Sequence, residues 1–170
     1  ESTNTSLFRV TQFEYDRSDR GEAPYIVQGG VIEQWVSGQS GGAANKTTYF
    51  HVGGNVWVKE FHRGTHQDYN LASKHPSVSV TGGDFDEFYL TGLYKAVTTQ
   101  DDNAECYISG GRFGIVAGTG MEGLGGVTNH TNGNITWQIS YADIKEFYGG
   151  GINAKSPVQG NITTIIKGSH

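Results

Sequence analysis

Residues 77–92 read SVSVTGGDFDEFYLTG and consist of two strand-like stretches on either side of a glycine pair. Before the pair, Val78 and Val80 alternate with serine, which is the period-two pattern of a half-buried β-strand. After the pair, apolar side chains resume at Phe85. Two adjacent glycines favour a sharp bend, because the backbone can then adopt angles that a side chain disfavours. The stretch therefore predicts two strands that meet at a bend.

This unit recurs six times at spacings of 25 to 31 residues, counted between the first residues of successive bends. Those first bend residues are Gly29, Gly54, Gly82, Gly110, Tyr141 and Gly168. The residues two positions before them are all valine or isoleucine, namely Val27, Val52, Val80, Ile108, Ile139 and Ile166. Four positions before are Tyr25, Phe50, Val78, Cys106, Trp137 and Thr164. Three positions after are Ile32, Trp57, Phe85, Phe113 and Ile144. Seven positions after are Val36, Phe61, Tyr89, Ala117 and Tyr148.

A register that recurs at such a period is typical of a solenoid, because stacked units bury together what one unit cannot bury alone. The pattern predicts an all-β, right-handed parallel β-helix of about five to six rungs over residues 23–170. Residues 1–22 are predicted to be a preceding partial rung or cap. A β-sandwich of unrelated hairpins is the alternative, but it gives no reason for one register to recur. In the fifth unit Tyr141 and Ala142 replace the glycine pair, so we expect a less sharp bend there.

Composition excludes several classes of function. The formal net charge is −5 and only 17% of residues are charged, so no basic surface for nucleic acid is expected. No apolar run is long enough for a membrane-spanning helix. Scarce lysine with abundant glycine indicates an extracellular or cell-surface protein. The start at Glu1 suggests a processed or excised segment of a longer chain, and the single cysteine, Cys106, is predicted to be a core thiol.

The units VSVTGGDFDEFYLTG, CYISGGRFGIVAGTG and WQISYADIKEFYGGG resemble rungs of right-handed parallel β-helices of the pectin-lyase-like type. More narrowly, they resemble Gly-Gly-x-Phe repeats in large exported or surface proteins of gut Bacteroidetes. The resemblance covers residues 25–170 and implies an exported β-helix. It does not assign an activity, because one fold supports many functions.

β-Helix polysaccharide lyases and hydrolases resemble this fold, so carboxylates on adjacent strands are catalytic candidates. If Phe85 points inward, Asp84 and Asp86 point outward on one face, where paired carboxylates could serve acid–base hydrolysis. The residues expected beside Asp84 in the neighbouring units are Val56 and Arg112. No carboxylate stack therefore extends across the rungs, and solvated strand charges are the simpler interpretation.

A second candidate set combines a base with a cation, as a lyase acting on a uronic acid would need. His62, Arg63 and His66 could supply these groups. The two histidines are four residues apart in a loop-like stretch, without the helix that would align them on a metal. Residues 100–103 lack the spacing of a calcium loop. No metal or cofactor is therefore predicted, and Ca²⁺ is not expected.

The leading hypothesis is a non-catalytic structural or binding segment, adhesin-like, of an exported β-helix protein. Loops 65–76, 93–103 and 121–133 leave the rungs at the same corner and are predicted to present a binding surface. The candidate binding residues in these loops are His66, Asp68, Tyr69, Asp101, Asp102 and Asn103. Because these loops contain few cations, the expected partner is a neutral glycan or a protein.

A carbohydrate-active enzyme of the β-helix type, a lyase or hydrolase, is the alternative function. The sixth unit stops at its bend, which would leave a strand edge open. Further rungs of the same chain, or a covering partner, are expected at that end.

Overall fold

The computed structural model describes residues 9–14, 25–36, 49–62, 77–91, 99–100, 103–119, 130–152 and 157–168. Within these residues all regular structure is β-strand, as the period-two patterns predict. The strands are β1 (Arg9–Glu14), β2 (Tyr25–Val36), β3 (Tyr49–His62), β4 (Ser77–Val80), β5 (Asp84–Thr91), β6 (Thr99–Gln100), β7 (Ala104–Ile108), β8 (Arg112–Thr119), β9 (His130–Thr131), β10 (Ile135–Ser140), β11 (Asp143–Tyr148) and β12 (Ile162–Lys167).

Every described strand pairing is parallel, and the strands form two long ladders that meet along the row of bends. The ladder before the bends contains the first parts of β2 and β3, then β4, β7, β10 and β12. The ladder after the bends contains β1, the second parts of β2 and β3, then β5, β8 and β11. The chain is therefore a parallel β-solenoid, as predicted.

A third side is described at β6, β9 and Val158, which are joined by parallel pairings. Counted in complete turns, the described solenoid has about three rather than the five to six rungs predicted. The difference arises because the bend unit recurs six times, whereas the third side is described only between residues 99 and 158.

The column two positions before the bends is in register from end to end. Val27 pairs with Val52, and the pairing continues through Val80, Ile108 and Ile139 to Ile166. The four central members are buried at 0%, 0%, 1% and 8% exposure. Ile166 is 72% exposed, because no described strand lies beyond β12.

The second unit departs from the predicted register after its bend. Val27 pairs with Val52 but Gly29 pairs with Asn55, so β3 contains one more residue than β2 at this point. A shift of one residue moves every following side chain to the opposite face of a strand. Val58, fully buried, consequently joins the column of Phe85, and Trp57 is 38% exposed. The prediction that Trp57 points inward is wrong.

The same shift moves Phe61 by one column. Phe61 is in register with Trp35 and Phe88, not with Tyr89, whose neighbour is His62. Its ring stacks on Phe88 at a centroid distance of 4.6 Å. Phe61 remains a core residue, but its predicted place seven positions after the bend is wrong.

The core between the ladders is aliphatic on one side and aromatic on the other. Phe85 and Phe113 stack at 4.9 Å, and Phe88 meets Phe113 edge-on at 5.8 Å. On the aliphatic side Cys106 is buried, and burial raises the pKa of its thiol. A thiol that is held protonated in the core is a poor nucleophile, which agrees with its predicted structural role.

The bends use left-handed residues. Gly83 and Gly111 have φ of 96° and 102°, whereas the fifth unit uses Tyr141 with φ of 53°. The strands on either side of Tyr141 keep their register with the fourth unit, so the turn has the same length as the glycine bend. A less sharp bend was expected there, yet the left-handed conformation is retained without glycine.

Candidate functional site

A groove with a volume of about 710 Å³ runs along the row of bends, across the rungs. Its floor is formed by the bend glycines, and its walls carry Trp57, Asp84, Arg112, Tyr141 and Asp143. A second hollow of about 390 Å³ adjoins it and shares four of these wall residues. The first volume falls within the range of small-molecule sites in proteins.

The floor of the groove is bare backbone because side chains do not fit there. A Cβ atom on Gly83 would lie 2.6 Å from Cγ1 of Val56, and one on Gly111 would lie 2.9 Å from the carbonyl oxygen of Gly83. Both glycines also have positive φ. A ligand in the groove would therefore meet peptide groups directly, with side-chain contacts only from the walls.

A charged fork occupies the middle of the groove. Asp84 and Arg112 are register neighbours on β5 and β8, and the next residue in the column is Asp143. Nε and Nη2 of Arg112 each donate a hydrogen bond of 2.7 Å to the two carboxylate oxygens of Asp84. The hydrogen bond lowers the pKa of Asp84 and raises the pKa of Arg112. The pair presents a planar, oriented polar surface to solvent.

Two exposed aromatic side chains flank this fork. Trp57 lies one rung before Asp84, and its Nε1 donates a hydrogen bond of 3.2 Å to Oδ1 of Asp86. Tyr141, 76% exposed, lies at the other end of the groove beside the bend glycine Gly168. Three rung spacings separate Trp57 from the rung of Tyr141, or roughly 14 Å at about 4.8 Å per rung.

The two carboxylate candidates lie where the sequence placed them. Phe85 is buried, Asp84 is half-buried and Asp86 is exposed. Each has a partner, Arg112 for Asp84 and Trp57 for Asp86. The residue beside Asp84 in the second unit is Trp57 and not Val56, as a consequence of the extra residue in β3.

His62, the first member of the second catalytic set, lies at the end of β3 in the interior. Its side chain is 1% exposed, and its ring stacks on Tyr89 at 4.9 Å. Nε2 lies 3.6 Å from Oε2 of Glu60, a contact that lowers the pKa of that carboxyl. Arg63 and His66 lie outside the described residues.

Of the predicted binding residues, only Asn103 falls within the described part of the chain. It is exposed, and its Oδ1 accepts a hydrogen bond of 2.9 Å from the backbone N–H of Asn134. Asn134 in turn accepts from the N–H of Asn161 at 2.8 Å. These two bonds form an asparagine ladder that ties successive rungs together. The remaining candidates, His66, Asp68, Tyr69, Asp101 and Asp102, lie outside the described residues.

A repeated acid–phenol pair was not recognised from the sequence. Tyr89, Tyr107 and Tyr148 each donate a hydrogen bond of 2.9 Å to the glutamate two residues earlier. The signal is the spacing Glu-x-Tyr, because residues two apart on a strand share a face. The pKa of each phenol is raised, chiefly by burial for Tyr89 and by the glutamate for the other two. These tyrosines are therefore locked as protonated donors.

The described residues contain no group of histidine, cysteine, aspartate or glutamate side chains that could hold a metal ion. Nor does that part of the chain include a helix able to cross a membrane. Comparison of the chain with protein-family models, with curated proteins and with solved structures finds no match. The structure shows the parallel β-solenoid, while the pectin-lyase-like type and the Bacteroidetes resemblance stay predictions.

Proposed function

We propose that the chain is a non-catalytic carbohydrate-binding segment of an exported or cell-surface β-solenoid protein. A neutral glycan chain would lie in the groove along the bends, between Trp57 and Tyr141. The observation that carries the proposal is the arrangement of this groove, which has a bare backbone floor, an exposed aromatic at each end and an oriented polar fork between them.

The chemistry of the walls suits a sugar polymer. A sugar ring has apolar C–H faces and polar hydroxyl edges, and a tryptophan or tyrosine side chain offers an apolar ring with a polar tip. Trp57 and Tyr141 could each stack on one ring of the glycan. Asp84 and Arg112 are held at fixed positions between them and could accept from and donate to neighbouring hydroxyls. The glycine floor lets the chain approach the backbone closely.

The charge of the groove favours a neutral ligand. The two adjoining hollows are lined by three carboxylates, Asp84, Asp86 and Asp143, against two cations, Arg112 and Lys145. Arg112 is already engaged by Asp84. An acidic polysaccharide would meet a surplus of negative charge, which repels it, whereas a neutral chain does not incur this cost.

The protonation of the carboxylates supports binding over hydrolysis. A general acid needs a pKa raised towards the working pH, but the pKa of Asp84 is lowered by the hydrogen bond from Arg112. The alternative function, a β-helix lyase or hydrolase, would have to draw on His62, Arg63 and His66. His62 is buried against Tyr89 and does not line the groove. The loops 65–76, 93–103 and 121–133 stay a predicted second contact surface.

The experiment compares binding of neutral and acidic oligosaccharides on a glycan array, followed by calorimetry on the best ligand. The variants Trp57→Ala and Tyr141→Gly should each weaken binding by about tenfold or more, equivalent to about 1.4 kcal/mol. Tyr107→Ala is the matched control, because Tyr107 is also exposed but lies outside the groove.

Two outcomes would contradict the proposal. Equal binding by the two groove variants and the control would exclude the groove as the site. Release of unsaturated uronic products, abolished by changing His62, Arg63 or His66, would establish the lyase instead.

A further inference from the structure

The two ends of the solenoid are complementary half rungs. At the N-terminal end, β1 pairs with the part of β2 after the bend, from Val31 to Val36. Within the described residues, the part of β2 before the bend pairs only with β3. At the C-terminal end β12 extends the ladder before the bends, and β11 is the last described strand of the other ladder. One end thus projects the second half of a rung, and the other projects the first half.

We propose that copies of this chain associate end to end, so that β12 of one copy and β1 of the next together form one complete rung. In this arrangement β12 pairs with the first part of β2 of the next copy. At the same time β11 pairs with β1 of the next copy. Both ladders then continue in parallel across the junction with the register that they have inside the molecule.

Apolar side chains at the C-terminal end support this partner. Ile166 is 72% exposed, although it ends a column in which Ile108 and Ile139 are buried at 1% and 8% exposure. Ile162 on the same strand is 46% exposed. The residue that the junction places on Ile166 is Val27, the first member of the same column, which is itself only partly buried. Stacking would therefore bury both ends of one apolar column.

Charge complementarity selects the head-to-tail arrangement. In the ladder after the bends, Arg9 begins the column that contains Asp84 and Arg112 and ends at Asp143. The junction places Arg9 of one copy beside Asp143 of the other, which is the neighbour relation of Arg112 and Asp84. That internal pair forms a fork with two hydrogen bonds of 2.7 Å.

A second polar pair repeats an internal precedent. Gln12 begins the column of Gln34 and Glu60, and Glu146 ends it. The junction makes Gln12 a neighbour of Glu146, as Gln34 is of Glu60, where the amide donates a hydrogen bond of 3.1 Å. A two-fold pairing of two C-terminal ends would instead make the strands antiparallel and lose these relations.

Because the two contacting surfaces differ, the interface is heterologous and does not close after two copies. The proposal therefore requires association that grows with concentration, and filaments at high concentration. Sedimentation velocity over a wide concentration range, with negative-stain microscopy at the highest concentration, measures both. A wild-type chain that stays monomeric up to millimolar concentration overturns the proposal.

Two variants each block one end. Ile166→Lys places a charge at the exposed end of the apolar column, and Val27→Lys places one at the opposite end. Each variant alone should sediment as a monomer, whereas a mixture of the two should form a one-to-one dimer and nothing longer. This mixing result follows only from a head-to-tail contact, since the mixture retains one intact face of each kind.

The controls separate blocked association from failed folding. Ile165→Lys adds the same charge to the adjacent residue of β12, outside the apolar column, and should associate like the wild type. Circular dichroism should show unchanged β content for Ile166→Lys, because that side chain is exposed in the single copy. If Val27→Lys unfolds, Arg9→Glu replaces it and should weaken association at least tenfold at low salt. Dimers formed by either end-blocked variant alone, or association that neither variant weakens, would refute the proposal.

Discussion

Val80 and Ile166 occupy the same column, three rungs apart, and have opposite surroundings. Val80 is fully buried between Val52 and Ile108, whereas Ile166 is 72% exposed with only Ile139 beside it. The two residues point in the same direction relative to their strands. In a solenoid, therefore, the repeat decides which way a side chain points, but burial depends on whether a rung lies on both sides.

The largest expected effect comes from placing a charge at both points of this column. Val80→Asp buries an unpaired carboxylate and should destabilise the fold by several kcal/mol or unfold it. Ile166→Asp should change the free energy of unfolding by less than about 1 kcal/mol, because its side chain is solvated. Urea denaturation at low protein concentration measures both. Equal destabilisation by the two variants would contradict the inward assignment of Val80.

The bends of the fourth and fifth units offer a second comparison, with an intermediate effect. Gly111→Ala should cost about 2 kcal/mol or more, because φ is 102° and the added Cβ would meet the oxygen of Gly83. Tyr141→Gly should lie within about 1 kcal/mol of the wild type. Relief of the left-handed tyrosine is offset by the greater freedom of glycine in the unfolded chain. Thermal melting of both variants tests this, and a larger loss for Tyr141→Gly would show that its ring supports the bend.

The smallest effect is electrostatic. Because the folded pKa of Asp84 is lowered, its ion pair with Arg112 stabilises the fold above the unfolded pKa. That contribution is lost as the pH falls through the folded pKa. Arg112→Ala should return the pKa of Asp84 towards its ordinary value, and carboxyl titration by NMR measures the shift. An unchanged titration curve would mean that the fork does not persist in solution. Asp143, the next carboxylate in the column, is the internal reference.

The sequence predicted the ladder before the bends residue by residue, because valine or isoleucine occurs two positions before every bend. After the bend of the second unit the prediction failed at Trp57. The residues Val56, Trp57 and Val58 are all apolar, so composition gives no sign that an extra residue shifts the register there. The structure resolves the ambiguity because Val58 fills the space beside Phe85 in the core.

The groove was missed for a different reason. Its walls come from four rungs, and its floor is backbone, so no local motif represents it. The available signal was the column two positions after the bend, where Asp84, Arg112 and Asp143 alternate in charge. Reading that column across the units, as was done for the apolar columns, would have brought the fork together.

The extra residue of β3 also has a consequence for how the chain can vary. Val52 remains in register with Val80 before the bend, and Val58 remains in register with Phe85 after it. The insertion is thus confined to one corner, and neither neighbouring rung has to change. A lengthened corner alters the outline of the surface at that rung while the interior keeps its sequence requirements. In such an architecture, insertions and deletions at corners can accumulate independently of one another, so that the outer contour evolves at a different rate from the core.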